Sequence, residues 1–170
     1  ILVSQESELA LEAGWNLVSM AGQPLITDPQ SLWADSQAVR LPMFHWNPSG
    51  FSYQPVGELK LGQGYWMLCL NSPGETLSIP LQLSDTYTVQ LKAGWNLIGS
   101  VGQTYDFVNP QDVPDSAIAP ESLYAWRPDG YTYQASDQIE PGKGYWVLAY
   151  QDCQLTVGGL VDVPTAPQVL

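Results

Sequence analysis

Between residues 86 and 91 the chain alternates: Thr86, Thr88 and Gln90 are polar, whereas Tyr87, Val89 and Leu91 are apolar. A period of two puts successive side chains on opposite faces of a strand. Residues 1–10 hold the corresponding place earlier and open with Ile1-Leu2-Val3. Ala13-Gly14 and Ala93-Gly94 then interrupt, with glycine at a bend or bulge. Trp15 to Met20 and Trp95 to Ile98 resume as short extended segments. Tyr65 to Leu70 and Tyr145 to Tyr150 are apolar without alternation, which predicts central strands buried on both faces. Thr76 to Ile79 and Leu155 to Val157 add one strand each. Aromatic flanks around Asn47-Pro48-Ser49-Gly50 and Arg127-Pro128-Asp129-Gly130 predict two hairpins. In each, proline suits the first turn position and glycine supplies a positive φ. Asp28-Pro29 and Asn109-Pro110 each predict one turn of α- or 3₁₀-helix, with the Asx residue as cap and proline at the first helical position.

The same pattern occurs twice. Leu11-Glu12-Ala13-Gly14-Trp15-Asn16-Leu17-Val18 returns 80 positions later as Leu91-Lys92-Ala93-Gly94-Trp95-Asn96-Leu97-Ile98. Gly62-Gln63-Gly64-Tyr65-Trp66 returns as Gly142-Lys143-Gly144-Tyr145-Trp146, and the hairpin phrase around Trp46 returns around Trp126 with the same offset. This is an internal duplication. It predicts an all-β chain with short helical turns only. Two tandem pseudo-symmetric copies of a small antiparallel unit, sandwich- or barrel-like, would span residues 1–83 and 84–170. Units of this size sit near the lower limit for a self-sufficient core, so the copies are expected to lean on each other.

Ala-Gly-Trp-Asn-Leu-Ile/Val at the start of a copy and Gly-Lys/Gln-Gly-Tyr-Trp at its end resemble a repeat of large secreted and cell-surface proteins of bacteria and archaea. The resemblance runs from about Leu11 to Val157. It implies a structural module in an extracellular setting and brings no catalytic role with it.

Composition agrees with that setting. Seventeen acidic residues face five basic ones, for a formal charge of −12, and charged residues are only 13% of the chain. Such a surface repels a phosphate backbone, so nucleic acid is not an expected partner. No apolar stretch approaches the roughly 18 residues of a membrane-spanning helix, and membrane insertion is not expected. Two cysteines, Cys69 and Cys153, follow equivalent strands. They form a disulfide if a twofold packing of the copies brings them together, and otherwise are two separate buried thiols.

Candidate chemistry is sparse. A nucleophilic triad needs histidine, and the one histidine, His45, neighbours Trp46 on a hairpin strand. It reads as a half-exposed sheet residue. One His and two distant Cys do not make a transition-metal site. Gly62-x-Gly64 and Gly142-x-Gly144 precede strands and are turns rather than phosphate loops. Asp106, Asp112, Asp115 and Glu121 cluster in a loop of the second copy. Two carboxylates suffice for a glycosidase and several oxygens for calcium, but solvated caps are the ordinary reading. No catalytic residue, metal or cofactor is expected.

What remains are aromatics and apolar ends. Trp46, Tyr53, Trp126 and Tyr133 lie on the hairpins, where outward-facing rings would stack on sugars and inward-facing ones would form core. Ile1, Leu2, Val3, Val169 and Leu170 are apolar and are candidates for joining subunits by strand addition. The expected function is a non-catalytic, extracellular or cell-surface structural module that assembles with copies of itself or other surface proteins. The alternative is a carbohydrate-binding or adhesion module with a polysaccharide ligand. Either function is expected in what the copies do not share, the 24–42 and 104–122 loops and the apolar ends.

Overall fold

A computed structural model describes residues 5–159 of the chain. It is built almost wholly of antiparallel strands, with a single five-residue helix. The first copy contributes β1 (Gln5–Ser19), β2 (Gly22–Pro24), α1 (Pro29–Trp33), β3 (Val39–Asn47), β4 (Ser52–Pro55) and β5 (Gly64–Leu83). These form one sheet in the order β1-β5-β3-β4, with β2 also on β5. β1 runs antiparallel along β5 from Gln5↔Leu81 to Ser19↔Gly64, broken by a bulge between Glu12 and Gly14.

In the second copy the same course is divided. β6 (Thr86–Leu91) and β7 (Gly94–Ile98) stand where β1 is continuous; β13 (Tyr145–Ala149) and β14 (Cys153–Gly158) stand for β5. Between them lie β8 (Tyr105–Asp106), β9 (Gln111–Val113), β10 (Tyr124–Arg127), β11 (Thr132–Ala135) and β12 (Gln138–Ile139). The sheets are β11-β10-β13-β7, β6-β14-β9 and the pair β12-β8.

The repeated asparagine explains the bulge. Asn16 is buried, its Oδ1 accepts from Glu12 N, and its Nδ2 donates to Glu12 O and Gly14 O at 2.8 and 3.0 Å. Asn96 makes the same three bonds to Lys92 and Gly94. A single amide thus satisfies the backbone that the break in the ladder leaves unpaired. The glycine between takes φ of +96° or +106°, a region that side chains disfavour. The closing phrase is tied similarly. The buried Tyr65 hydroxyl accepts from Lys60 N at 2.7 Å and that of Tyr145 from Glu140 N at 2.8 Å.

Two apolar cores result. One gathers Leu9, Met20, Met43, Met67, Ile79 and Leu81, the other Tyr87, Ile98, Leu123, Ile139, Val147 and Leu155, each with further neighbours.

Four expectations need correction. Tyr65 to Leu70 and Tyr145 to Tyr150 do alternate in burial: Tyr65, Met67 and Cys69 enter a core while Trp66 and Leu68 are half-buried on the other face. The hydropathy is continuous because that second face meets aromatic rings of the other copy. Asp28 caps α1 as expected, accepting from Gln30 N at 3.0 Å. Asn109-Pro110 starts no helix; Gln111–Val113 pair with β14 instead, a non-local partner that outweighs the local capping signal. In the hairpins the positive φ falls on Phe51 (50°) and Tyr131 (48°), one residue after each glycine. Finally, Cys69 and Cys153 are free thiols buried in different cores, so the disulfide is not formed. Burial, followed by the charges of Asp112 and Asp152, pushes the Cys153 thiol up. Ile1, Leu2, Val3, Val169 and Leu170 lie outside the described residues.

Candidate functional site: an aromatic groove between the copies

The closing phrases bring the copies together. Gly64 and Gly144 face each other so closely that a Cβ on Gly144 would stand 2.9 Å from Val18 O and 3.2 Å from Gly64 Cα. Only glycine permits that approach. Backbone bonds cross here in reciprocal fashion: Ser19 N donates to Gly142 O at 2.9 Å and Gly99 N to Gly62 O at 3.1 Å. A chain of buried hydroxyls joins them on one side. Ser19 Oγ donates to Lys143 O at 2.6 Å, lies 2.7 Å from Ser100 Oγ, and Gly142 N donates to Ser100 Oγ at 2.9 Å. Each hydroxyl has one proton, so Ser100 must donate to Ser19.

Flanking this seam, the hairpins reach across. Trp46 Nε1 donates to Trp95 O at 3.1 Å, and Trp126 Nε1 donates to Trp15 O at 2.8 Å. The rings follow the same exchange. Trp46 meets Trp146 edge-on at 5.6 Å, and Trp126 meets Trp66 at 5.2 Å. Within each hairpin Trp46–Tyr53 and Trp126–Tyr133 are both T-shaped at 5.1 Å. These are favourable aromatic geometries.

The sequence singled out Trp46, Tyr53, Trp126 and Tyr133, and the structure brings all four to the seam. The two indoles have their N–H groups engaged across it. The two phenols stay about half-exposed, at 48% and 47%. Between the hairpins lies an open apolar groove of about 400 Å³ lined by Trp15, Phe44, Tyr53, Trp66, Trp126 and Tyr133. Trp15, Phe44 and Trp66 were not among the sequence candidates. Trp15 and Trp66 stand in the repeated phrases and Phe44 two residues before one of them, but only cross-copy packing reveals that they meet. The groove therefore belongs to what the copies share rather than to their divergent loops.

The groove is not the same on its two sides. Tyr131 stacks on Trp126 at 5.5 Å, and its hydroxyl accepts from Trp15 N at 3.3 Å. Phe51, the equivalent residue, has no hydroxyl and is 74% exposed. Trp146 Nε1 donates to the Tyr133 hydroxyl at 3.2 Å. Its counterpart Trp66 Nε1 faces the Tyr53 hydroxyl without meeting bonding geometry. Among the described residues it is the buried side-chain polar atom left without a partner. Burial raises the Tyr53 phenol above its ordinary value, with the Trp66 indole acting the other way.

The remaining candidates lie elsewhere. His45 sits on β3 opposite Gln54, its pKa lowered mainly by burial. Asp112, Asp115 and Glu121 border a wide depression of about 1640 Å³ on the second copy. Asp112 accepts from Ile118 N at 2.8 Å and Asp115 from Ser116 N at 3.0 Å, so both act as loop caps. Asp106 pairs in the β8–β12 ladder. Among the described residues, no group of three or more His, Cys, Asp or Glu is placed to hold a metal ion. No family model, curated protein or solved structure matches this chain.

Proposed function

We propose that this chain is a non-catalytic structural module of a secreted or cell-surface protein, a building unit that assembles with copies of itself or with other surface proteins. The observation that carries this reading is where the polar groups of the repeated phrases go. Asn16, Asn96, Trp46 and Trp126 direct their hydrogen bonds at the chain's own backbone. The asparagines thus brace the bulge within each copy, and the tryptophans tie each copy to the other. The acidic surface with few charged residues of either sign fits an extracellular setting. Sedimentation velocity at rising protein concentration tests the assembly. A structural subunit self-associates reversibly, whereas a monomer at every concentration, or hydrolysis of a polysaccharide, peptide or ester panel abolished by Asp112→Asn, would overturn the proposal.

Carbohydrate binding is the second reading, favoured by the half-exposed rings of Tyr53 and Tyr133. A sugar ring also needs partners for its hydroxyls, since a buried unpaired polar group costs about 1–3 kcal/mol. The groove lining has no amide or carboxylate side chain, which ranks this reading below the first. Quenching of Trp fluorescence by a soluble polysaccharide, lost in Tyr53→Ala, would reverse that order.

A further inference from the structure

We propose that the open edge of β6 pairs antiparallel with β6 of a second copy of this chain, about a twofold axis through Thr88, joining two molecules in one continuous sheet. This rests on the structural-module reading and names the joint by which copies associate.

The backbone of β6 is turned outward. Among the described residues β6 pairs with β14 alone and ends the sheet β6-β14-β9. Gly159 N donates to Asp85 O, and the Thr86 hydroxyl donates to Val157 O, whereas Gly158 O accepts from Gln111 on the far side of β14. Antiparallel ladders alternate bonded and non-bonded pairs. Tyr87, Val89 and Leu91 therefore bond to β14, and Thr86, Thr88 and Gln90 turn their N–H and carbonyl groups to the open edge. Such an edge is a template for a further strand.

This edge is also unguarded. In a chain of net charge −12, β6 holds no charged residue and no proline. In the first copy, Glu6 and Glu8 of β1 stand 80 positions before Thr86 and Thr88, and like charges set opposite each other repel. The sheet ends β4, β9 and β11 span only three or four residues.

The occupant follows because the strand is complementary to itself. With Thr88 opposite Thr88 of the second copy, Thr86 falls opposite Gln90, and the strands exchange about six backbone hydrogen bonds. All these side chains lie on the exposed face. There they already bond across to β14: Thr88 Oγ1 lies 2.9 Å from Thr156 Oγ1, and Gln90 Nε2 donates to Gln154 Oε1 at 3.1 Å. The same uncharged chemistry continues across the joint. The pairing also brings the Lys92 end of each strand to the Asp85 end of the other, so opposite charges meet there.

Sedimentation velocity of the full chain beside the double variant Thr86→Glu, Thr88→Glu tests the proposal. The variant copies what the first copy bears at this edge, so its urea midpoint should stay near that of the wild type. Its association should weaken about tenfold or more. Thr88→Glu and Thr88→Lys supply a second arm. Mixed together they should associate more tightly than either does alone, since the twofold sets this position against itself. Unchanged association of the double variant, or a mixture no tighter than its components, would overturn the proposal and leave the structural reading standing. A lowered urea midpoint with unchanged association would show the edge to be closed within one molecule, and would overturn it too. A wild-type chain that stays monomeric at every concentration sinks both readings. Hydrolytic activity abolished by Asp112→Asn, alongside the expected dimer, would sink the structural reading alone.

Discussion

Asn96 shows how much of the fold a single side chain holds. Its amide satisfies Lys92 N, Lys92 O and Gly94 O at the break between β6 and β7, and it is almost fully buried. Asn96→Ala leaves those part-buried groups without their partner, and Asn96→Asp sets a carboxylate against two carbonyls. Each is expected to destabilise by about 2–3 kcal/mol, the cost of buried unpaired backbone groups, measured as a lower urea midpoint at unchanged m-value. Tyrosines give a second prediction at this scale. Burial raises the phenols of Tyr65, Tyr87 and Tyr145, that of Tyr145 to about 12. In the unfolded chain a tyrosine ionises near pH 10. Their contribution is therefore complete below about pH 10 and falls above it, because the unfolded state releases protons that the folded state keeps. Urea midpoints taken from pH 8 upward should be flat and then drop beyond about 10. Tyr145→Phe should shallow that drop.

At the scale of elements, local signals were legible and non-local ones were not. The β4 and β11 hairpins, the bulge glycines and the Asp28 cap follow from neighbours a few residues apart, and each was readable. Asn109-Pro110 carries the same local signal as Asp28-Pro29, yet β9 forms because Asp112 finds Leu155, far along the chain. The hairpin turns show a finer limit. Proline and glycine mark the turn correctly, but the strained φ falls on the aromatic that follows. The two copies use that strain differently. Tyr131 stacks on Trp126 and bonds Trp15 N, whereas Phe51 projects into solvent. Phe51→Gly should relieve the left-handed strain at little loss and be neutral or stabilising within about 1 kcal/mol. Tyr131→Gly loses a stacked ring and a hydrogen bond as well, and should come out about 1–2 kcal/mol worse than its counterpart. Thermal unfolding of the two variants side by side measures the difference.

For the whole molecule, the duplication was plain in the sequence, but the groove was not, because it exists only where one copy's hairpin meets the other copy's strand. Trp66 reads as a buried strand residue when its own copy is considered alone. It becomes a groove wall when Trp126 packs against it at 5.2 Å. The same packing determines whether the copies unfold together. Each has its own core, and the seam between them consists of the Gly64–Gly144 approach, the Ser19–Ser100 pair and the reciprocal Trp46 and Trp126 bonds. Trp126→Phe removes the indole N–H and part of a ring that packs against Trp66, Tyr131 and Tyr133, and should cost about 1–3 kcal/mol while leaving a single transition. Gly144→Ala acts on the centre of the seam. Its methyl would stand 2.9 Å from Val18 O, against backbone rather than a flexible side chain, so the strands must part and the flanking bonds lengthen together. The expected outcome is loss of cooperativity: fluorescence of the seam tryptophans and far-ultraviolet circular dichroism should no longer report one midpoint, the former falling first. Coincident midpoints in Gly144→Ala would show instead that the two cores are coupled through some path other than this joint.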